Sequence, residues 1–267
     1  MKTFFQDARH YQLLFLSTFL MYGLTQLDWD TRWQEIATLF LVALALHTAF
    51  IFFFKLPWHN LKSTLISCLS LSILFKADHL LWYGVAATVM VLSKFMVLHQ
   101  GKHFVNPANF AIMSTILLSG HAWISPGQWG AQTQLIFLIG ALGFWVSSRV
   151  QRMDVALAFF FTFLALQTYR TILYLHWPVD HLMQQFSTGS LLLFTFFMIT
   201  DPVPSPKHAT MRLLWGMGIG CTSFILANYY FVQGAPLWAL FGFSFVTPII
   251  NILFKGETFQ WKPLVKA

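Results

Sequence analysis

Four polar residues in this sequence lie where a polar side chain needs a reason: Asn106, Asn109, Thr200 and Asp201. Two amides, a hydroxyl and a carboxylate can bond a polar ring, a carbonyl or a cation. Asn106-Pro107-Ala108-Asn109 opens one apolar run. Asn is a natural helix N-cap and Pro suits the first turn, so Asn106 has a structural role ready-made. Asn109 is harder to account for, because an amide in the first turn of an intramembrane helix wants a partner. Thr200-Asp201-Pro202-Val203-Pro204-Ser205-Pro206 closes a second apolar run. Its prolines stop the helix, and Asp201 either holds a ligand or cation or caps the next turn. Asp78, which follows Lys76, has the simpler option of pairing with that lysine.

Other chemistry has weaker support. The ten His are scattered, with no HExxH or other tight metal pair. A haem would need two of His47, His99, His103 and His176 brought together across helices, and a lone His is more often a satisfied polar residue. Cys68 and Cys221 both read as small core residues. Neither a P-loop nor a dinucleotide GxGxxG is present. Gly216, Gly218 and Gly220 lie mid-helix, where close helix packing explains them. Lys94 and Arg170 fall inside apolar runs but near their ends, so both are expected to snorkel.

The elements that hold these residues are set by composition. Only 9% of the 267 residues are charged and 57% are hydrophobic, with 30 Phe and 11 Trp. A soluble domain is near a quarter charged. The balance excludes a soluble enzyme, a disordered chain and a disulfide scaffold, and it predicts an all-α polytopic membrane protein. Apolar runs predict ten helices, at about 11–27, 35–54, 63–75, 80–98, 104–118, 134–148, 155–175, 186–199, 213–232 and 237–254. With the N-terminus inside, the inner loops hold Lys2, Arg9, Lys55, Lys62, Lys94, Lys102, Arg149, Arg152, Lys207, Arg212, Lys255, Lys262 and Lys266. Only Arg32, Lys76 and Arg170 remain outside. This positive-inside bias predicts both termini on the cytoplasmic side of the membrane. It also explains the net charge of +7 without nucleic acid. The loop Trp123–Gly130 reads as an outer interfacial anchor.

The chain also repeats. Leu44-Ala45-Leu46-His47-Thr48 returns as Leu164-Ala165-Leu166-Gln167-Thr168, and Leu81-Trp82 returns as Leu214-Trp215. Thr64–Asp78 lies over Ser187–Asp201, and Gln100-Gly101 over Gln233-Gly234. Two halves, about 7–118 and 134–254, would make one transmembrane domain. Five helices per half is odd, so the second half enters from the opposite face as an inverted repeat. The third and eighth helices are short and correspond in the two halves, which marks them as candidates to frame a midplane site.

Asn106-Pro107-Ala108, the string Phe196-Phe197-Met198-Ile199-Thr200-Asp201-Pro202-Val203 and Arg212–Gly218 resemble a known family. These residues are similar to the B subunit of the sodium-pumping NADH:quinone oxidoreductase and the D subunit of the Rnf electron-transport complex (the NqrB/RnfD type). The opening Asp7–Gln12 and the loop Ser125–Gly130 look more like a stand-alone RnfD-like branch. The resemblance implies two inverted five-helix halves, urea-transporter-like in outline, and other membrane redox subunits as partners. It also implies flavin, carried in the family as FMN on the Thr of a Ser-Gly-Ala-Thr motif. That motif is absent here, and the nearest string, Ser187-Thr188-Gly189-Ser190, stands elsewhere. Covalent FMN is therefore not expected, and a non-covalent flavin is the cofactor left open. The first expectation is a subunit for membrane electron transfer. The alternatives are a transporter or channel for a small polar solute or flavin, or a scaffold that has lost redox function.

Overall fold

A computed structural model of the chain describes residues 7–125 and 133–256. These residues fall into two compact units, one on each side of the gap. Residues 126–130 of the loop read as an outer interfacial anchor lie outside the described residues.

The first unit begins with α1 (Ala8–Gln26). Asp7 caps it, accepting from the Arg9 backbone N–H at 3.1 Å. The same carboxylate meets the Arg9 guanidinium at 2.8 Å and Lys62 Nζ at 3.3 Å, tying the start of α1 to the start of α3. The helix α2 (Trp33–Phe54) ends at Lys55, whose φ of 51° closes the helix. A single 3-10 turn leads into α3 (Leu61–Leu74). At 1.5 Å per residue, its 14 residues span about 21 Å, short of the ~30 Å hydrocarbon core. Next come α4 (Leu80–Met96) and α5 (Pro107–Ser119). Helix α1 packs on α3, α2 on α3 and α4, and α4 on α5.

Two short sheets complete this unit. The chain leaves α3 as β1 (Phe75–Ala77), which pairs antiparallel with β4 (Ala122–Ile124), just after α5. Where two short helices stop, the strands thus give one another's backbone groups partners, which buried non-helical chain requires. Between α4 and α5, β2 (Leu98–His99) and β3 (Lys102–His103) form a hairpin. Gln100 and Gly101 turn it with positive φ at both positions, the geometry of a two-residue hairpin loop.

The second unit holds α6 (Thr133–Val150) and α7 (Met153–Thr168), which continues as a π-helical segment through Tyr174. Then follow α8 (Val179–Phe186), with no buried residue, and α9 (Gly189–Leu193), extended by a π segment through Met198. Helices α10 (Ala209–Asn228) and α11 (Ala235–Leu253) end it. Helix α6 packs on α9, α7 on the π segment after α9 and on α10, and α10 on α11. The order of pairings parallels the first unit.

Glycines set the closeness of α10 to its neighbours. A Cβ on Gly216 would sit 3.0 Å from the Val155 carbonyl oxygen, and one on Gly220 would sit 3.1 Å from that of Phe159, both on α7. Gly218 faces the other way, and its Cβ would meet Phe243 of α11 at 2.7 Å. The packing role expected of this run is therefore met on two faces.

Each predicted helix has a counterpart, shifted by a few residues at its ends. The fifth starts at Pro107 because residues 102–103 pair as a strand. The exposed α8 is a helix beyond the predicted ten, the eighth of which starts only at 186. Among the described residues, four helices are long and apolar enough to cross a membrane: 33–54, 153–174, 209–228 and 235–253. Their outer faces expose Phe52, Phe53, Phe161, Leu214 and Ile249, while Leu39, Ala43, Met90, Phe159 and Ile219 are buried. Such wide apolar exposure is that of a multi-pass membrane protein, with lipid covering what the chain does not. Cys221 belongs to that exposed surface and is not in the core; Cys68 is buried as expected.

Candidate functional site

In the first unit the candidate site is the N-terminus of α5. Asn106 has extended backbone, φ −70° and ψ 120°, and its Oδ1 accepts from the Asn109 N–H at 3.0 Å. Its carbonyl oxygen accepts from Phe110 N–H at 2.8 Å. The capping role is thus present in full. Asn109 is different. It is 1% exposed, yet its Oδ1 has no hydrogen-bond partner among the described residues. Burying an unpaired amide oxygen is costly, and a bound group that donates to it removes the cost. Thr115, also on α5, has a second buried oxygen in the same condition.

In the second unit the candidates stand where the π segment after α9 ends. Thr200 is buried, and its hydroxyl donates back to the Phe196 carbonyl oxygen at 2.6 Å. The Asp201 Oδ1 accepts from Val203 N–H at 3.2 Å, the local turn that Asp favours before proline-rich chain. Both residues therefore have structural partners.

Around Asp201 lies a charge cluster that the sequence reading did not assemble. Arg152 caps α7 and is 7% exposed. Its Nε donates to Ser205 Oγ at 3.1 Å and its Nη1 to the Gln151 carbonyl oxygen at 3.1 Å. Asp154, two residues on, accepts from Arg212 Nε at 2.7 Å and also pairs with Arg212 Nη2. Burial and the nearby Arg212 charge pull the Arg152 pKa down to about 10, against the opposing pull of Asp154 and Asp201. One turn of α7, one of α10 and the chain after α9 are thereby joined by alternating charges. The sequence held a faint signal of this, since Arg152 and Arg212 fall in neighbouring loops that the charge pattern predicts to lie on the same side.

One expected pairing and one expected snorkelling residue differ in the structure. Asp78 does not pair with Lys76; its Oδ2 lies 2.7 Å from His121 Nδ1. Lys76 turns to Glu35 at 3.3 Å and to the Asp30 carbonyl oxygen, because β1 carries it back towards the start of α2. Lys94 does not snorkel. It is buried and donates to Thr64 Oγ1 at 3.1 Å, since α3 is short enough to bring its first turn beside the last turn of α4. Arg170 stands with its guanidinium 5.2 Å from the Tyr229 ring centre, a cation–π arrangement. Among the described residues no group of three or more His, Cys, Asp or Glu is placed to hold a metal.

The four predicted residues thus form two adjacent pairs, Asn106 with Asn109 in one unit and Thr200 with Asp201 in the other. Of the four, Asn109 is the one whose side chain the fold leaves open.

Two comparisons bear on what such a chain does. The family model described as the NQR2, RnfD, RnfE family matches residues 113–260, more than half of the sequence. A curated protein of Stutzerimonas stutzeri, the D subunit of an ion-translocating oxidoreductase complex, is 27% identical over 165 residues. That stretch is 57% of this chain and 45% of that protein, so the chain spans a little under half of its relative's length.

Proposed function

Because the chain belongs to the NQR2, RnfD, RnfE family, we propose that it is a membrane subunit for electron transfer, working with other redox subunits of an ion-translocating complex. The family match carries this reading, and the name of the Stutzerimonas stutzeri relative agrees with it. A non-covalent flavin would supply one- or two-electron transfer. The residues suit such a group in part. The unpaired Asn109 amide oxygen can accept from a ring N–H, and Asn106 fixes the α5 backbone that carries it. Thr200 offers less, because its hydroxyl is already spent on Phe196. Asp201 keeps one role towards ligand or ion and another in the Arg152 cluster. The protein's part is to orient the ring and exclude water from it.

The proposed architecture is two inverted five-helix halves with both termini in the cytoplasm of a bacterial inner membrane. It is supported by the parallel order of helix pairings in the two units and by the positive-inside loops. The same architecture would serve a transporter for a small polar solute, with the short α3 and α9 framing its site. Spectroscopy separates the two readings. Protein purified in mild detergent should carry flavin absorbance that is released on denaturation, and Asn109→Ala should lose most of it while eluting as a folded protein. Colourless protein that takes up solute into liposomes, with uptake abolished by Asp201→Ala, would replace electron transfer by transport.

A further inference from the structure

In the first unit a buried polar chain joins three helices. Lys94, in the last turn of α4, is 8% exposed. Its Nζ donates to Thr64 Oγ1 at 3.1 Å and to Ser63 Oγ at 3.3 Å, both in the first turn of α3. Thr64 is fully buried, and its Oγ1 lies 2.5 Å from Nδ1 of His47, on α2. His47 is 2% exposed, and its Nε2 has no hydrogen-bond partner among the described residues.

Donor and acceptor chemistry gives this chain a direction. An ammonium only donates, so Thr64 Oγ1 accepts from Lys94. Among the described residues, the Thr64 hydroxyl proton then has one acceptor in reach, Nδ1 of His47. A neutral imidazole that accepts at Nδ1 carries its proton on Nε2. The opposite tautomer would strand the Thr64 proton as well as Nε2, one more unpaired buried group. His47 therefore presents a buried N–H that is held in place and has no acceptor. The Phe95 ring stands T-shaped to it at 5.2 Å and 71°, and an aromatic face is a weak acceptor.

The surroundings favour negative charge. Among the described residues, the charge close to His47 is that of Lys94, and those close to His103 in the neighbouring hairpin are Lys94 and Lys102. All are cations. His47 lies seven residues before the end of α2, about 10 Å inside the helix end. At the corresponding repeat position stands Gln167, also buried and also with an unpaired oxygen, Oε1. That residue offers an acceptor and no charge, so the feature belongs to the first unit.

We propose that His47 Nε2, oriented by Thr64 and Lys94, is the donor of a buried anion site for a small anion or the anionic oxygen of a larger molecule. The site is separate from Asn109 and does not depend on the electron-transfer reading. Nuclear magnetic resonance of ¹⁵N-histidine-labelled protein tests it in nanodiscs of neutral glycolipid. His47 is assigned by the signal lost in His47→Gln. Sodium chloride and sodium formate are titrated separately at ionic strength held by sodium gluconate.

The Nε2 resonance should shift saturably with chloride or formate. Thr64→Val should weaken that binding by about tenfold, the scale of one lost orienting hydrogen bond, and Thr64→Ser should restore it. A shift already complete in phosphatidylglycerol nanodiscs, and absent in glycolipid alone, would identify a lipid phosphate as the anion. No saturable shift in any of these conditions would overturn the proposal. So would a proton on Nδ1 in place of Nε2, equal binding in Thr64→Val, or a water cross-peak to Nε2 that no anion displaces.

Discussion

At the residue scale, burial decides which polar groups are free for a ligand. Asn106, Thr200 and Asp201 each complete a local hydrogen bond, and Asn109 does not. Thr200→Val should therefore change cofactor content little, while Asn109→Ala should remove most of it, both read from the visible spectrum of purified protein. His103 gives a pH prediction. Burial, with Lys94 and Lys102 close by, holds its pKa down at about 3 from the ordinary 6.5. The unfolded chain takes up a proton near pH 6.5 that the folded chain refuses until pH nears 3. The stability from the neutral ring is whole above pH 6.5 and is lost as pH falls towards 3. The thermal unfolding midpoint should drop between about pH 7.5 and 5, and His103→Gln should flatten that drop. The two asparagines were legible because polar residues in apolar runs stand out. The Thr64–His47 contact was not, since residues 17 apart reveal nothing of their meeting until helices are packed.

At the element scale, short helices need special ends, and α10 needs glycine. Filling the contact at Gly220, where a Cβ meets Thr162 Cβ at 3.0 Å and Phe159 O at 3.1 Å, forces α10 off α7. Gly220→Leu should cost about 1–3 kcal/mol or more and lower the thermal midpoint. Gly242→Ala, where nothing lies within 4 Å of the new Cβ, should leave the midpoint unchanged or raise it slightly. Helix positions were legible because apolar runs bounded by charge and proline mark them. The β1–β4 pairing was not, because three-residue strands have no pattern long enough to read and their partner is 47 residues away. The π segments escaped notice for a similar reason: each prolongs a helix, α7 or α9, without a break in the chain's helical course.

At the scale of the whole molecule, few charges carry much of the order. In the second unit Arg152, Asp154 and Arg212 gather where α6 gives way to α7 and α10 begins. Asp154→Asn would remove the carboxylate that Arg212 pairs with, next to the Arg152 charge. It should destabilise the second unit by less than the ~3–5 kcal/mol that breaking a fully buried pair costs, because this pair is partly exposed. Denaturation in detergent measures it. The inverted-repeat proposal is tested by topology. With Cys68 and Cys221 replaced by serine, Lys102→Cys should react with an impermeant maleimide only from the cytoplasmic side. Asp180→Cys should react only from outside. Labelling of both from one side would refute the ten-span arrangement.

Composition alone determined that this chain lives in a membrane, since nothing but lipid can cover so much apolar surface. The few basic residues, read loop by loop, set the expected number and direction of its spans. The comparisons then placed it in its family. Only the tertiary structure decided which polar groups are satisfied. Hydrogen bonding is a matter of distances between helices, and one sequence records such distances nowhere. Lys94 shows the difference most plainly: along the chain it is a cation near a helix end, and in the fold it is a buried donor to Thr64, which in turn meets His47.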